Sequence, residues 1–406
     1  MIQLNCDKAL KKTISIIGGG ASALAFSAFI DTNKYEVVLF DKNKALARKF
    51  LVAGDGGFNL THGSMIDEML NHYEPKGILD EALLAFTNED FRKWLKDLGI
   101  ETYVGSSGRV FPVKPIKPIE VLQAILNLIK NKGIQIKTNM EWTAWNTNNS
   151  IELNKSDAIK TDIVVFALGG SSWKVTGSDG NWLRFFESKQ IPTLAFEASN
   201  CAFELNWSEE FTKNHAGKSL KNIALSTANK SYKGELTVSE FGLEGNAIYP
   251  LSTELKNQIK SDGHAIINID FKPMLTDQEV LHKLLKSKAK NSNEKLKLDL
   301  NLSSTAIQII KNNLSKEAYL NNLTLAKAIK QLPLSIVNAA PIDEAISTTG
   351  GIALEAIDEH YELKQLKNHY CIGEMLNWNA PTGGYLLQGC FSMGAKLARH
   401  LNDQAS

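Results

Sequence analysis

Cysteine is scarce and scattered in this chain. Only four occur in 406 residues (Cys6, Cys201, Cys371 and Cys390), and no two share a C-x-x-C or other zinc-like spacing. A disulfide scaffold and a structural zinc site are thereby excluded, and the expected compartment is a reducing cytoplasm. An excess of charge of either sign is missing too. Lys plus Arg number 45 against 44 Asp plus Glu, a net charge of +1, which argues against a protein whose main work is to grip nucleic acid or an anionic membrane. No long apolar run is present. The uncharged stretch Ile14–Ile30 contains Gly18, Gly19 and Gly20 with Ser15, Ser22 and Ser27, and falls short of the ~20 strongly apolar residues of a membrane span. Lys8, Lys11 and Lys12 before it only weakly resemble the charged start of a signal peptide, so the stretch is expected to be an uncleaved buried strand and helix. Fixed-period repeats and low-complexity tracts are also lacking.

What remains is an ordinary globular composition, 43% hydrophobic and 22% charged, in a chain long enough for two or three domains. The first part alternates strand and helix. Thr13–Ile17 and Glu36–Phe40 read as parallel strands covered on both faces, with Ala21–Ile30 as the crossover helix between them. Asn88–Leu98 carries one apolar stripe (Phe91, Trp94, Leu95, Leu98), with Asp90 at the positive end of its dipole and Gly99 as its stop. Gly105–Pro118, with Pro112, Pro115 and Pro118, reads as an irregular loop. Ile119–Lys132 is another helix, and Thr161–Ala167 another buried strand. From about residue 192 the texture changes. Residues 194–270 hold short strand-like pieces split by glycines, while 274–332 contain no glycine and read as helical. The alternating pattern returns after Pro333 and ends in an apolar helix from about Tyr385 to Leu401. The expected organisation is one α/β domain built from both chain ends (1–191 and 334–406), with a β-rich insert (192–272) and a helical insert (273–333).

The most specific local signal is Gly18-Gly19-Gly20-Ala21-Ser22-Ala23, a G-x-G-x-x-A turn between a strand and a helix. Gly18 permits the tight turn, Gly20 lets backbone approach a pyrophosphate, and Ala23 lets the helix pack close to the sheet. The first turn, with Ala21 and Ser22, then offers unpaired amides to phosphate oxygens. Asp41 closes the second strand at roughly the ~20-residue distance expected of the acid that bonds a ribose hydroxyl.

Further motifs run along nearly the whole chain: Ala47-Arg48-Lys49-Phe50-Leu51 leading into Gly54 and Asn59-Leu60-Thr61-His62, Gly108-Arg109-Val110-Phe111-Pro112, Ala167-Leu168-Gly169-Gly170, Gly242-Leu243-Glu244-Gly245, Ser347-Thr348-Thr349-Gly350-Gly351, and Gly373-Glu374 through Thr382-Gly383-Gly384-Tyr385. In this order they resemble the YhiN/BaiN-type, aminoacetone-oxidase-like family of NAD(P)/FAD-dependent flavoproteins. The loop after the second strand is similar to a subgroup written ARKFL-x-A-G-x-G-G-x-N-L-T-H. Gly57 and Phe58 stand where most of the family has Arg and Cys, so no role of that Arg or Cys carries over.

The resemblance implies an α/β, two-dinucleotide-binding-domain-type flavoprotein. Its Rossmann-like FAD domain would be interrupted by a β-barrel-like module and a helical subdomain. It implies FAD held at three places. Asp41 and the glycine turn would take adenosine and pyrophosphate, with Lys42, Arg48 and Lys49 adding positive charge nearby. Gly54, Asn59, Gly169 and Gly170 would lie along the cofactor, Glu374 after Gly373 would bond ribitol, and Gly383, Gly384 and Tyr385 would aim a helix N-terminus at the flavin. His62, Arg109, Trp378 and Tyr385 are candidates for substrate contact, each explained equally well by packing or a loop hydrogen bond. No general base stands out.

Cys6 stands alone ahead of the first strand, which excludes a flavin disulfide reductase. No second G-x-G-x-x-G follows a strand, so NAD(P)H is expected only as a transient reductant. The leading expectation is an FAD-dependent oxidoreductase that moves hydride to or from a small molecule. The alternatives are an FAD enzyme acting on RNA, or a flavin-binding protein with little turnover. Lys283, Lys286, Lys288, Lys290, Lys295 and Lys297 favour RNA only weakly, because no aromatic residues are interleaved with them. Substrate, reaction direction and oligomeric state are not readable from the sequence.

Overall fold

A computed structural model describes residues 11–52, 58–146, 150–155 and 157–405. The chain divides into two units. One comprises residues 1–197 with 347–406, and the other residues 198–346.

The first unit is built on a five-stranded parallel sheet, in the order His369–Cys371, Ile163–Phe166, Lys12–Ile17, Tyr35–Asp41, Gln135–Thr138. Its strands are apolar because both faces are covered: Ile14, Ile16, Leu39, Val165 and Phe166 are all but inaccessible. The helix Ala21–Phe29 is buried from Ser22 to Ala28 and packs on the last helix, Tyr385–Gln404. Small residues allow that approach, since a Cβ on Gly394 would sit 2.5 Å from the Ser22 carbonyl oxygen. Phe391 fixes the other side by stacking on Phe91 at 4.3 Å, a contact of about 0.5–1.5 kcal/mol beyond its burial.

The helix Asn88–Asp97 opens with a reciprocal cap. Thr87 Oγ accepts the Asp90 N–H, and the Asp90 carboxylate accepts the Thr87 N–H at 2.9 Å. Asp90 therefore closes a hydrogen-bonded cap as well as facing the dipole, and Gly99, at φ +82°, follows the helix end.

One expectation is overturned. Residues 105–118 are not wholly irregular, because Arg109–Pro112 is a strand paired antiparallel with both Thr102–Val104 and Thr61–His62. The glycines that suggested an irregular loop form the hairpin turn instead. Gly108 N–H donates to the Gly105 carbonyl at 2.9 Å with φ +76°, and Gly105 N–H donates to Arg109 at 2.8 Å. Pro112 sits at the strand's last position, where a missing N–H costs the ladder little.

The second unit contains a seven-stranded sheet, antiparallel between neighbouring strands, in the order Leu332–Ile336, Ala265–Asp270, Ser219–Ser226, Ser231–Val238, Gly242–Glu244, Phe203–Glu204, Asn338–Ala339. Helices between Asp277 and Lys330 share one apolar core with it, joining Leu225, Leu236 and Ile267 to Leu284, Ile310 and Ile329. The helices are short and each starts on a side-chain cap: Thr276, Asn291, Ser303, Ser315 and Asn321.

Candidate functional site

The G-x-G-x-x-A turn is held together by backbone and one carboxylate. Gly18 has φ +97°, and a Cβ there would lie 2.4 Å from the Ala167 carbonyl oxygen; its N–H donates to Phe40 at 2.8 Å. Asp41, 8% exposed, accepts the Gly19 N–H on Oδ2 at 2.7 Å, and the Asn43 N–H on Oδ1 at 2.7 Å. Gly20 differs from both neighbours. Its φ of −81° is ordinary, and an added Cβ would meet nothing nearer than 4.0 Å. The helix that follows has no side-chain cap and no acidic residue in its first turn, while Ser22 and Ala23 are buried. The result is an open face lined by unpaired amides.

The basic residues near this turn are tied inward. Lys42 pairs with Asp179 at 2.8 Å, and Arg48 donates to the Val175 carbonyl at 2.6 Å and to Asn43 Oδ1 at 3.1 Å. Lys49 reaches Glu374 at 3.0 Å and Ser172 Oγ at 2.8 Å. Glu374 also accepts the Thr348 N–H at 3.2 Å. Gly170 packs against this group, its Cβ position only 2.1 Å from Thr348 Oγ, whereas a Cβ on Gly169, at φ +73°, would meet Ser178 Oγ at an ordinary 3.7 Å. Gly373 is closed off by Ser22.

The last helix begins on two left-handed glycines, Gly383 (φ +108°) and Gly384 (φ +107°). A Cβ on Gly384 would lie 2.3 Å from the Thr61 backbone, while one on Gly383 would have 3.4 Å to Arg109 Nε and 4.0 Å to Tyr385. His62 stacks on Tyr385 at 4.9 Å and 20°, and His72 lies 4.5 Å from the same ring. Gln388, fully buried, ties this end to two loops. Its Oε1 accepts the Thr61 hydroxyl at 2.6 Å and its Nε2 donates to the Phe86 carbonyl at 3.0 Å. Asn88 donates to the His62 and Ser64 carbonyls at 2.7 and 2.9 Å. Burial holds His62 and His72 below the ordinary histidine value. For His62 the Ser107 carbonyl and Glu68 oppose that shift, and Arg109 adds to it. Burial likewise raises Tyr385, and pushes the Cys390 thiol, near Ser22 and Glu374, up to about 11.

Of the four candidates for substrate contact, His62, Arg109 and Tyr385 gather around Gly383. Trp378 does not join them; it is 2% exposed and spends its ring N–H on the Gly373 carbonyl at 2.8 Å. Asn59 is half-buried just ahead of Thr61, and Gly54 lies outside the described residues. Ser64, His72, Asn88, Thr348 and Gln388 escaped the sequence reading. Only Thr348 lay inside a motif; the others act through neighbours distant in the chain.

The family described as "HI0933-like protein Rossmann domain" matches residues 12–400. The chain is 22% identical over 409 residues to a 3-dehydro-bile acid delta(4,6)-reductase of Clostridium scindens, covering 94% of this chain and 97% of that protein. It is also 22% identical over 410 residues to a ribosomal RNA dihydrouridine synthase of Haemophilus influenzae, with 96% and 98% covered. Among solved structures, the open form of a flavocytochrome c3 fumarate reductase aligns with a TM-score of 0.49 at 13% identity, over 98% of this chain and 79% of that one. This chain belongs to the HI0933-like family, with its Rossmann domain.

Proposed function

We propose that this member of the HI0933-like family is an FAD-dependent oxidoreductase. Its substrate would be a small molecule in which a carbon–carbon double bond conjugated to a carbonyl is reduced, with NAD(P)H as transient hydride source. One observation carries the reading: a Cβ on Gly20, Gly169 or Gly383 would meet nothing nearer than 4.0, 3.7 and 3.4 Å, while Gly18, Gly19, Gly170, Gly373 and Gly384 are used up by packing. Open glycines beside two helix N-termini suit an extended dinucleotide better than a compact ligand.

The polar groups fit FAD as well. Asp41 Oδ2 and Glu374 Oε2 each accept one hydrogen bond and retain a lone pair, for a ribose and a ribitol hydroxyl respectively. When bound, FAD supplies the hydride chemistry. The chain holds it, shields it and manages the proton. The two curated relatives support the substrate class. Reduction of a conjugated bile acid and formation of dihydrouridine both add hydrogen across a double bond next to a carbonyl.

The RNA relative favours a second reading, a nucleobase in ribosomal RNA as substrate. Purified protein should be yellow and release FAD, not FMN, on denaturation. NADH or NADPH should bleach it within seconds. A 3-oxo-Δ4 bile acid should then restore the colour anaerobically, and unmodified ribosomal RNA should not. Reoxidation by RNA alone selects the second reading, and a colourless protein indifferent to FAD removes both.

A further inference from the structure

The carbonyl of such a substrate gathers negative charge as hydride is added, and the Gly383 edge holds one group suited to receive it. Arg109 pairs directly with His62 across two antiparallel strands, so the two side chains leave the same face of that sheet. Thr61 and Val110, the neighbouring pair, point the other way and are fully buried. Gly108 makes room for the His62 ring, since a Cβ there would lie 2.5 Å from it. His62 is in turn stacked on Tyr385, and the atom nearest the Cβ position of Gly383 is Arg109 Nε, at 3.4 Å. The guanidinium therefore borders the start of the last helix.

Its donors are also uncommitted. Trp378 spends its ring N–H on Gly373, and the His62 ring nitrogens already have Ser64 Oγ at 2.8 Å and the Ser107 carbonyl at 3.2 Å. The half-buried Arg109 side chain has no hydrogen-bond acceptor and no ion-pair partner among the described residues. Glu68, the carboxylate whose charge reaches His62 and His72, is exposed and does not pair with it. A guanidinium is always charged and carries five donors in a planar fork; partial burial without an anion costs free energy that a bound oxyanion would offset. His62 and His72, held below the ordinary histidine value by burial, bring no competing positive charge at neutral pH.

We propose that Arg109 is a catalytic residue of the reduction, binding the carbonyl oxygen of the substrate and stabilising the oxyanion that forms on it. The proposal rests on the redox reading above. Hydride from the reduced cofactor forms a C–H bond at the far carbon of the conjugated system. The double-bond pair shifts toward the carbonyl carbon, and the carbonyl π pair moves onto oxygen, giving an enolate hydrogen-bonded to Arg109. A solvent proton then joins the carbon beside the carbonyl and the C=O bond re-forms. The substrate gains two electrons and two hydrogens, the cofactor loses the hydride, and Arg109 keeps its protons throughout.

The test uses the full-length, FAD-loaded parent with Arg109→Gln and Arg109→Lys. 4-Nitrophenol, whose anion mimics the enolate, is followed by equilibrium dialysis. It should bind the parent more tightly as pH rises through its own ionisation. Arg109→Gln should weaken the anion at least about 10-fold and remove that pH dependence, and Arg109→Lys should retain it. With the 3-oxo-Δ4 bile acid, Arg109→Gln should lower kcat about 100-fold at little changed KM, with partial rescue in Arg109→Lys. The methyl ester of the bile acid should react with the parent as the free acid does. A yellow Arg109→Gln protein that binds 4-nitrophenol as the parent does would overturn the role of Arg109 alone, whether or not that bile acid is the substrate. A raised KM at unchanged kcat, matched by the methyl ester on the parent, would also overturn it by placing the guanidinium on a remote carboxylate. A colourless parent would overturn the cofactor reading on which the proposal rests.

Discussion

The turn that opens the first helix and the turn that opens the last are built on the same economy. Each pairs a glycine that the fold consumes (Gly18, Gly384) with one whose Cβ position meets no clash (Gly20, Gly383). Their surroundings differ. The first is lined by backbone and the single carboxylate of Asp41, with no side chain poised for proton transfer. The second is ringed by His62, His72, Arg109 and Tyr385.

Substitution of the consumed and the open glycines separates fold from ligand. Gly384→Ala should cost the most, roughly 3 kcal/mol or more of stability, because it combines a left-handed φ with a new Cβ placed 2.3 Å from the Thr61 backbone. A denaturant midpoint equal to the parent's would show that the helix start can shift without loss. Gly20→Val should leave that midpoint nearly unchanged and weaken FAD at least about 100-fold, or about 2.7 kcal/mol. A yellow Gly20→Val protein would mean that the open face is not where the pyrophosphate lies.

Asp41→Ala sits between the two cases. It removes the Gly19 anchor as well as the proposed ribose acceptor, and should weaken FAD by about 1–3 kcal/mol, read by equilibrium titration. Affinity equal to the parent's would place the ribose partner elsewhere. The smallest effect concerns the other end. His62 and His72 titrate below the ordinary value in the folded protein, so the unfolded chain binds more protons. Their contribution to stability is complete above pH 6.5 and is lost as pH falls through their lowered pKa values. Denaturation midpoints should drop below that pH, and drop less in a His62→Gln, His72→Gln double variant. An equal drop in both proteins would show that other groups carry the acid sensitivity.

Much of this was readable in advance where the signal is local. The strand–turn–helix of residues 12–29 rests on apolar strands and small residues at fixed spacing. The helix Asn88–Asp97 follows from its stripe and its cap. The strand Arg109–Pro112 was missed because a hairpin depends on pairing, and glycines at a tight turn look the same as glycines in a loose one. Trp378 stood among the candidates for substrate contact for a related reason. Residue type does not reveal that its ring N–H is already taken by Gly373.

Composition, spacing and periodicity by themselves determined the class of the first domain, the dinucleotide turn and the return of the chain end to it, because each depends on residues a few positions apart. Only the tertiary structure decided which glycines keep free space and which side chains meet around Gly383. Those facts depend on distances between segments hundreds of residues apart in the chain. Thr61 and Gln388 are 327 positions apart yet share a 2.6 Å hydrogen bond. Packing sets such distances, and no local pattern encodes them.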